Sequence, residues 1–311
     1  MRGSKEGDRD DPNVAMLCAS HSPLEVRDQE KIQGPVFREG INRARAFVEN
    51  FDPDLVVFFG PDHRRALTNV VPAFTVVNSA TGYGDWETPE GRYVVEIETS
   101  NQLAVSLLSS NFDVAVGTDI RLDHGFGQTW QQLFDTTNSR PILPIIINCA
   151  APPFTSMRRT IALGRAVGRF ISSLDRRVLY VASGGLSHDP PLTRESANQT
   201  EEERTRRVFD DLQRAAKRID PAWDKRFLEA FSGMDWEWLS NLRHDELASI
   251  GVGAQEVRTW IAAIAAANFP ATDTIYEPVS EWITGMGIAM GTGRNSRARD
   301  ETADSAPALA S

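Results

Sequence analysis

Between Asn13 and Ser183 the chain alternates short β-branched and apolar runs with stretches of helical periodicity, and no other feature of the sequence constrains the fold as much. The runs are NVAMLCAS (13–20), DLVVFFG (54–60), DVAVGT (113–118), PILPIIINC (141–149) and RVLYVAS (177–183), with helices predicted near 35–50, 127–136 and 157–174. Strands and helices that alternate in this way bury their apolar faces against one another. The expectation is therefore a single α/β domain with a central mixed sheet flanked by helices. From about residue 195 the pattern turns helical (ESANQTEEERTRRVFDDLQRAAKR, WDKRFLEAF, EVRTWIAAIAAANF), which predicts a helical C-terminal layer rather than an independent domain. The domain is expected to span 13–291. Residues 1–12 and 292–311, rich in charged and small side chains, bury too little apolar area to offset their ordering entropy and are expected to be mobile tails.

Charge narrows the partners. The net charge of -10 and pI near 5.1 repel polyanions, so neither nucleic acid nor an anionic membrane is expected, and a small-molecule substrate fits better. The N-terminal residues lack an apolar export core, and no later apolar run approaches the roughly 18 residues of a membrane span. A cytoplasmic location is the expectation. Cys18 and Cys149 each sit in a strand-like apolar run without metal-ligand spacing, and both read as reduced core residues.

Four of the five histidines follow an apolar run that has just ended: His21 in AMLCASHSP, His63 in VVFFGPDH, His124 in AVGTDIRLDH and His188 in LYVASGGLSH. Ligands of open α/β sheets bind beyond the carboxyl ends of the strands, so loops leaving parallel strands on one side can gather these imidazoles into one cluster. The fifth, His244, has polar neighbours and reads as a surface residue. Proline beside His21 and His63 stiffens their turns, which suits metal ligands. Two imidazoles and one carboxylate leave three octahedral positions open, the arrangement of non-haem Fe(II) oxygenases. With 43 acidic residues available, spacing does not single out the carboxylate. His124 and His188 suit acid–base work. Asp123 stands next to His124 as a partner acid, and Gly125 and Gly127 leave room for a substrate to approach the backbone.

Taken in order, ASHSP, PDH, DHGF and SGGLSH resemble the class III extradiol ring-cleavage dioxygenases, the family that includes protocatechuate 4,5-dioxygenase. The similarity is nearest to the members acting on 2,3-dihydroxyphenylpropionate and 2,3-dihydroxycinnamate. Further segments fit as well: ILPIIINCAAPPF, GRAVGRF, DPAWDKRFLEAF, ELASIG, EVRTWIAA and YEPVSEWITGMG. It runs from about residue 14 to 291. The resemblance implies Fe(II) held by His21, His63 and Glu256, acid–base roles for His188 and the Asp123–His124 pair, and a homo-oligomer. It also implies a catechol and O2 as substrates, with ring cleavage next to the hydroxyls giving a hydroxymuconic-semialdehyde-type product. Two positions depart from the pattern. Arg64, followed by Arg65, would pair with a substrate carboxylate if it faced the pocket, and Asp189 would repel one. A non-catalytic scaffold on the same fold, or a zinc-type hydrolase using the same ligands, are the alternatives.

Overall fold

The computed structural model describes residues 12–191 and 201–294. In chain order its elements are β1 (Val14–Ala19), α1 (Pro35–Phe51), β2 (Leu55–Gly60), β3 (Phe74–Val77), β4 (Ala80–Gly82), β5 (Gly91–Arg92), β6 (Val94–Val95) and α2 (Ile97–Ser109). Then come β7 (Ala115–Gly117), β8 (Ile120–Leu122), α3 (His124–Phe134), β9 (Pro141–Ile147), α4 (Met157–Ile171) and β10 (Val178–Ser183). The C-terminal part carries α5 (Glu201–Ala216), α6 (Pro221–Ser232), α7 (Trp236–Asn241), α8 (His244–Ser249), α9 (Val257–Ala267), β11 (Asp273–Val279) and β12 (Thr284–Gly293).

Nine strands form the main sheet in the order β11-β12-β1-β10-β2-β9-β3-β7, with β6 also paired to β9. The middle is parallel: β1 runs beside β10 (Val14↔Val178 to Ala19↔Ser183), β10 beside β2 and β2 beside β9. The flanks bring in antiparallel partners, β12 on β1 and β3 on β9, so the sheet is mixed, as expected. Parallel strands carry helices on both faces, which is why β1, β2 and β10 are apolar at almost every position. Successive side chains point to opposite faces. Val14, Met16, Cys18, Val57, Phe59 and Tyr180 join the layer of α4, α6 and α9, whereas Ala15, Leu17, Val56, Phe58 and Val181 join that of α1 and α3.

The helix α4 lies close on α9. A Cβ built on Gly164 would sit 2.3 Å from the Ala262 carbonyl oxygen, and one on Gly168 would sit 2.4 Å from that of Ala266. Any larger residue at either position would push the two backbones apart.

Three features differ from the sequence expectation. The C-terminal part is not purely helical, because β11 and β12 return to the main sheet after α9. Thr292 and Gly293, assigned to a mobile tail, pair with Ala15 and Val14 at the end of β12. Finally, α3 begins at His124, three positions earlier than predicted, because Asp123 caps it by accepting from Gly125 N–H at 2.8 Å. The remainder of both expected tails, residues 1–11 and 295–311, lies outside the described residues. Cys18 and Cys149 are free and buried, in agreement with the sequence. No helix among the described residues is long and apolar enough to cross a membrane.

Candidate active site

Three of the histidines leave the carboxyl ends of the adjacent parallel strands β1, β10 and β2, two to five residues beyond the last paired residue. His21 sits in the turn after β1. Ser20 fixes this turn by donating its N–H to the Gly287 carbonyl (2.8 Å) and accepting the Gly287 N–H at Oγ (2.9 Å). Strand β12 thus holds the first histidine in place. His63 follows β2, and the Asp62 carboxylate shapes its loop by accepting the N–H groups of Arg65, Ala66 and Leu67 at 2.9–3.1 Å. His188 ends the GGLSH loop after β10. Asp224, from α6, anchors that loop by accepting Ser187 N–H (2.8 Å) and Ser187 Oγ–H (2.7 Å), and it also accepts Tyr276 Oη–H (2.7 Å). A Cβ on Gly253 would lie 2.0 Å from His188 Nε2, so only glycine leaves space for the ring there. His124 arrives by another route, from β8 of a small three-stranded sheet, β5-β4-β8.

The four imidazoles and Glu256 converge. The donor atoms of His21, His63 and His124 lie within 4.8 Å of one another. His63 and His124 stack with centroids 4.3 Å apart, and His21 meets both rings edge-on at 5.3 and 5.6 Å. Glu256, at the head of α9, places Oε1 3.0 Å from His63 Nε2 and 3.8 Å from His188 Nε2, with Oε2 4.0 Å from His21 Nε2. Gly185 N–H donates to the same Oε2 at 2.7 Å, which fixes the carboxylate. The other ring nitrogens are engaged from behind: His21 Nδ1 with Ser183 Oγ (2.9 Å), and His63 Nδ1 with the Asp123 carboxylate (3.2 Å), which also accepts His63 N–H (2.8 Å). Outer partners of this kind orient the Nε2 atoms of metal-ligating histidines. His63 is the most open member, its side chain 26% exposed against 3% for His21 and 5% for Glu256, so access is from its side.

Charge follows from this packing. Burial drives the His21 ring down to about 3, with the neighbouring imidazoles adding to the effect and Glu256 opposing it, so His21 is neutral at physiological pH. Burial also works against charge on His63, but the carboxylates of Asp123 and Glu256 outweigh it and hold this ring well above the ordinary value. Glu256 is likewise buried, and the surrounding imidazoles of His21, His188 and His63 hold it well below the usual carboxylate range. Asp123 is held low by His63 and then His124 against its own burial. Nitrogen and carboxylate donors thus face one another closely, His63 Nε2 lying 3.0 Å from Glu256 Oε1, and a divalent cation would compete with protons for these atoms. The donor set, its outer partners and its charge fit a divalent transition metal.

Arg64 and Asp189, the two residues considered for substrate contact, are engaged by neighbours of their own. Arg64 turns back onto its own loop, donating to the carbonyls of Val70 and Thr68, and lines a small cavity with Asp62, Leu67 and Val71. Asp189 accepts Val252 N–H at 3.1 Å and lies 3.8 Å from Arg218. His244 is exposed, as expected, with its ring against Phe154. One residue that spacing did not single out is Asp85, whose Oδ2 lies 2.7 Å from His124 Nδ1. It stands in YGDWETPE, a turn whose composition gives no metal or acid–base signal.

Comparison with known proteins identifies the family. A family described as the catalytic LigB subunit of aromatic ring-opening dioxygenase matches residues 15–287. A 2,3-dihydroxyphenylpropionate/2,3-dihydroxicinnamic acid 1,2-dioxygenase of Mycobacterium sp. (strain MCS) is 36% identical over 312 residues, covering 88% of this chain and 97% of that protein. A protein of the same name from Mycolicibacterium smegmatis is 36% identical over 315 residues, again covering 88% of this chain and 97% of its own length. A third, from Dechloromonas aromatica, is 32% identical over 304 residues with the same two coverages. With a family match over nearly the whole ordered domain and relatives above 30% identity, this chain belongs to the LigB family of ring-opening extradiol dioxygenases.

Proposed function

We propose that the chain is an Fe(II)-dependent extradiol dioxygenase that cleaves 3-(2,3-dihydroxyphenyl)propionate, or a related substituted catechol, next to its hydroxyls. The observation that carries this reading is the convergence of His21, His63 and Glu256 beside two further histidines at one end of the parallel strands. The names of the relatives supply the substituent. Arg27 would be the partner of that substituent's carboxylate; the guanidinium covers the Trp86 ring at 5.6 Å, and that ring lies 6.4 Å from His124. A homo-oligomer in the cytoplasm completes the proposal, with light scattering after size-exclusion as the check on assembly.

His21 and His63 would hold the cation through Nε2 and Glu256 through its carboxylate. When bound, Fe(II) supplies Lewis acidity toward the catechol oxygens and open positions for substrate and O2. The protein's own part is to move protons and exclude water. His188 Nδ1 lies 3.0 Å from the Leu186 carbonyl, which only accepts, so the neutral ring carries its lone pair at Nε2, 3.8 Å from Glu256 Oε1. Nε2 of His188 is therefore the base for a catechol hydroxyl, and the proton it takes is available for return to the opening ring. His124, stacked on His63, is the second acid–base group. Asp123 acts on the opposite side of His63, by fixing its tautomer. Burial of His21, His188 and Glu256 keeps bulk water from the reacting centre.

The convergence of three imidazole donors favours one competing arrangement, in which His124 replaces Glu256 as the third ligand. Metal titration of His124→Ala and Glu256→Ala separates the two, because only loss of a true ligand abolishes tight binding. The activity is tested by loading the protein with Fe(II) anaerobically, adding 3-(2,3-dihydroxyphenyl)propionate and plain catechols in air, and following O2 uptake with visible absorbance. Stoichiometric uptake with a yellow product is expected, and absent in Glu256→Ala. Iron binding without uptake on any catechol would sink the proposal.

A further inference from the structure

The turn that carries Asp85 is strained and tightly pinned. Gly84 has φ 78, Trp86 has φ 52 and ψ 41, and Glu87 has φ 61, so two bulky L-residues occupy the left-handed region in succession. The backbone is held there by Thr88, which donates N–H (3.1 Å) and Oγ1–H (2.7 Å) to the Asp85 carbonyl, and by Gln131 Nε2 reaching the Glu87 carbonyl (3.3 Å). Thr88 is itself buried against Gly127 of α3. The product of this strain is one contact, Asp85 Oδ2 to His124 Nδ1 at 2.7 Å, with the Asp85 side chain 11% exposed. Its other oxygen, Oδ1, is buried without a hydrogen-bond partner among the described residues. Strained φ values and an unpaired buried carboxylate oxygen both cost stability, and such costs persist mainly where function requires the geometry.

We propose that Asp85 is a positioning residue for this site: its carboxylate accepts the Nδ1 proton of His124 and holds that imidazole in the tautomer with Nε2 as its exchangeable nitrogen. The inference rests on the dioxygenase reading for its catalytic consequence, but the tautomer itself does not. A carboxylate accepts and never donates when ionised, so Nδ1–H is the only arrangement that makes the 2.7 Å contact a hydrogen bond. Stacking on His63 and edge contact with His21 define the ring plane, and Asp85 then decides which nitrogen carries the proton within it. The Asp123 carboxylate likewise contacts Nδ1 of His63, so each of the two stacked rings has its own carboxylate, one from the segment after β4 and one from the residue after β8. An outer carboxylate on a metal-ligating histidine is worth about 10–100-fold in metal affinity or activity, and a loss of that order in activity alone is expected where the histidine carries protons instead.

The test is Asp85→Asn, whose amide can present N–H to Nδ1 and so select the opposite tautomer. In the metal-free protein, 15N shifts of the His124 ring are expected to change from the Nδ1–H to the Nε2–H pattern. In the Fe(II)-loaded protein, kcat on the fastest catechol is expected to fall about 10–100-fold, with KM and the Fe(II) dissociation constant within about threefold of wild type. Unchanged 15N shifts together with wild-type kcat would overturn the proposal. A loss of Fe(II) affinity as large as the loss of kcat would also overturn it, since His124 would then be a ligand rather than a proton carrier. If the wild type consumes no O2 with any catechol, the dioxygenase reading fails, and the 15N shifts still decide whether Asp85 sets the tautomer.

Discussion

Asp224 couples the pH of the solution to the loop that presents His188. It is fully buried, and burial raises its carboxyl from 3.8 to about 6, with the hydrogen bonds from Ser187 and Tyr276 opposing the rise only in part. A carboxyl that holds its proton more tightly when folded contributes stability that is fully present below the unfolded value of 3.8 and lost as pH rises through about 6. At about 1.4 kcal/mol per pH unit, the gap between the two values corresponds to about 3 kcal/mol in total. Between about pH 4.5 and about pH 7.5 the wild type should lose about 2 kcal/mol of this, because the unfolded chain is already mostly ionised at the lower pH. Asp224→Asn removes the titration while leaving a polar group of the same size. Whatever constant cost it brings through an altered bond to Ser187 does not change with pH. Urea unfolding of metal-free wild type and variant across this range should therefore show their stability difference shifting by about 2 kcal/mol in favour of the variant as pH rises. Parallel curves would refute the reasoning, since Asp224 would then be ionised in the folded and the unfolded protein alike across this range.

Removing the Asp123 carboxylate in Asp123→Ala should cost about 1 kcal/mol in helix capping and lower Fe(II) affinity about 10–100-fold by releasing His63, read by thermal melts and metal titration. Gly168→Ala should destabilise the protein by about 1–3 kcal/mol, because its Cβ meets the Ala266 carbonyl, and denaturant midpoints would check this. On the proposed ligand set, Glu256→Gln should weaken Fe(II) binding by more than about 100-fold, since it would remove a charged ligand rather than an outer partner, and competition with a metal chelator would measure it.

The strands that build the centre of the sheet were legible because both of their faces are buried. An uninterrupted apolar run such as VAMLCA or LVVFFG has few other uses in an α/β chain. The strand β12 was not, because TGMGIAMGTG carries four glycines and little strand propensity, and it is held by β1 and β11 on either side. The short strands β4, β5 and β8 have two or three residues each, too few for any period to register. Within the site, His21, His63 and His188 announced themselves by following apolar runs. Glu256 did not, because its neighbour in space is 193 residues away in sequence and one glutamate on a helix looks like another. Its identification came from similarity to a family. Asp85 was missed for the same physical reason: its role depends on a backbone conformation that the residues GDWE do not signal.

The parallel strands and the helix α9 contribute to the proposed metal-binding set by different means. His21 and His63 are attached to the sheet, whose hydrogen-bonded spacing scarcely varies, but Glu256 is the N-cap residue of α9. How close that helix packs on α4 is governed by two absent methyl groups, at Gly164 and Gly168. The reach of the carboxylate toward the imidazoles is thus adjustable from outside the active site. Substitutions along α4 would act as a screw on the spacing between Glu256 and the imidazoles, and through it on the proposed metal site, while every residue of that site stays the same.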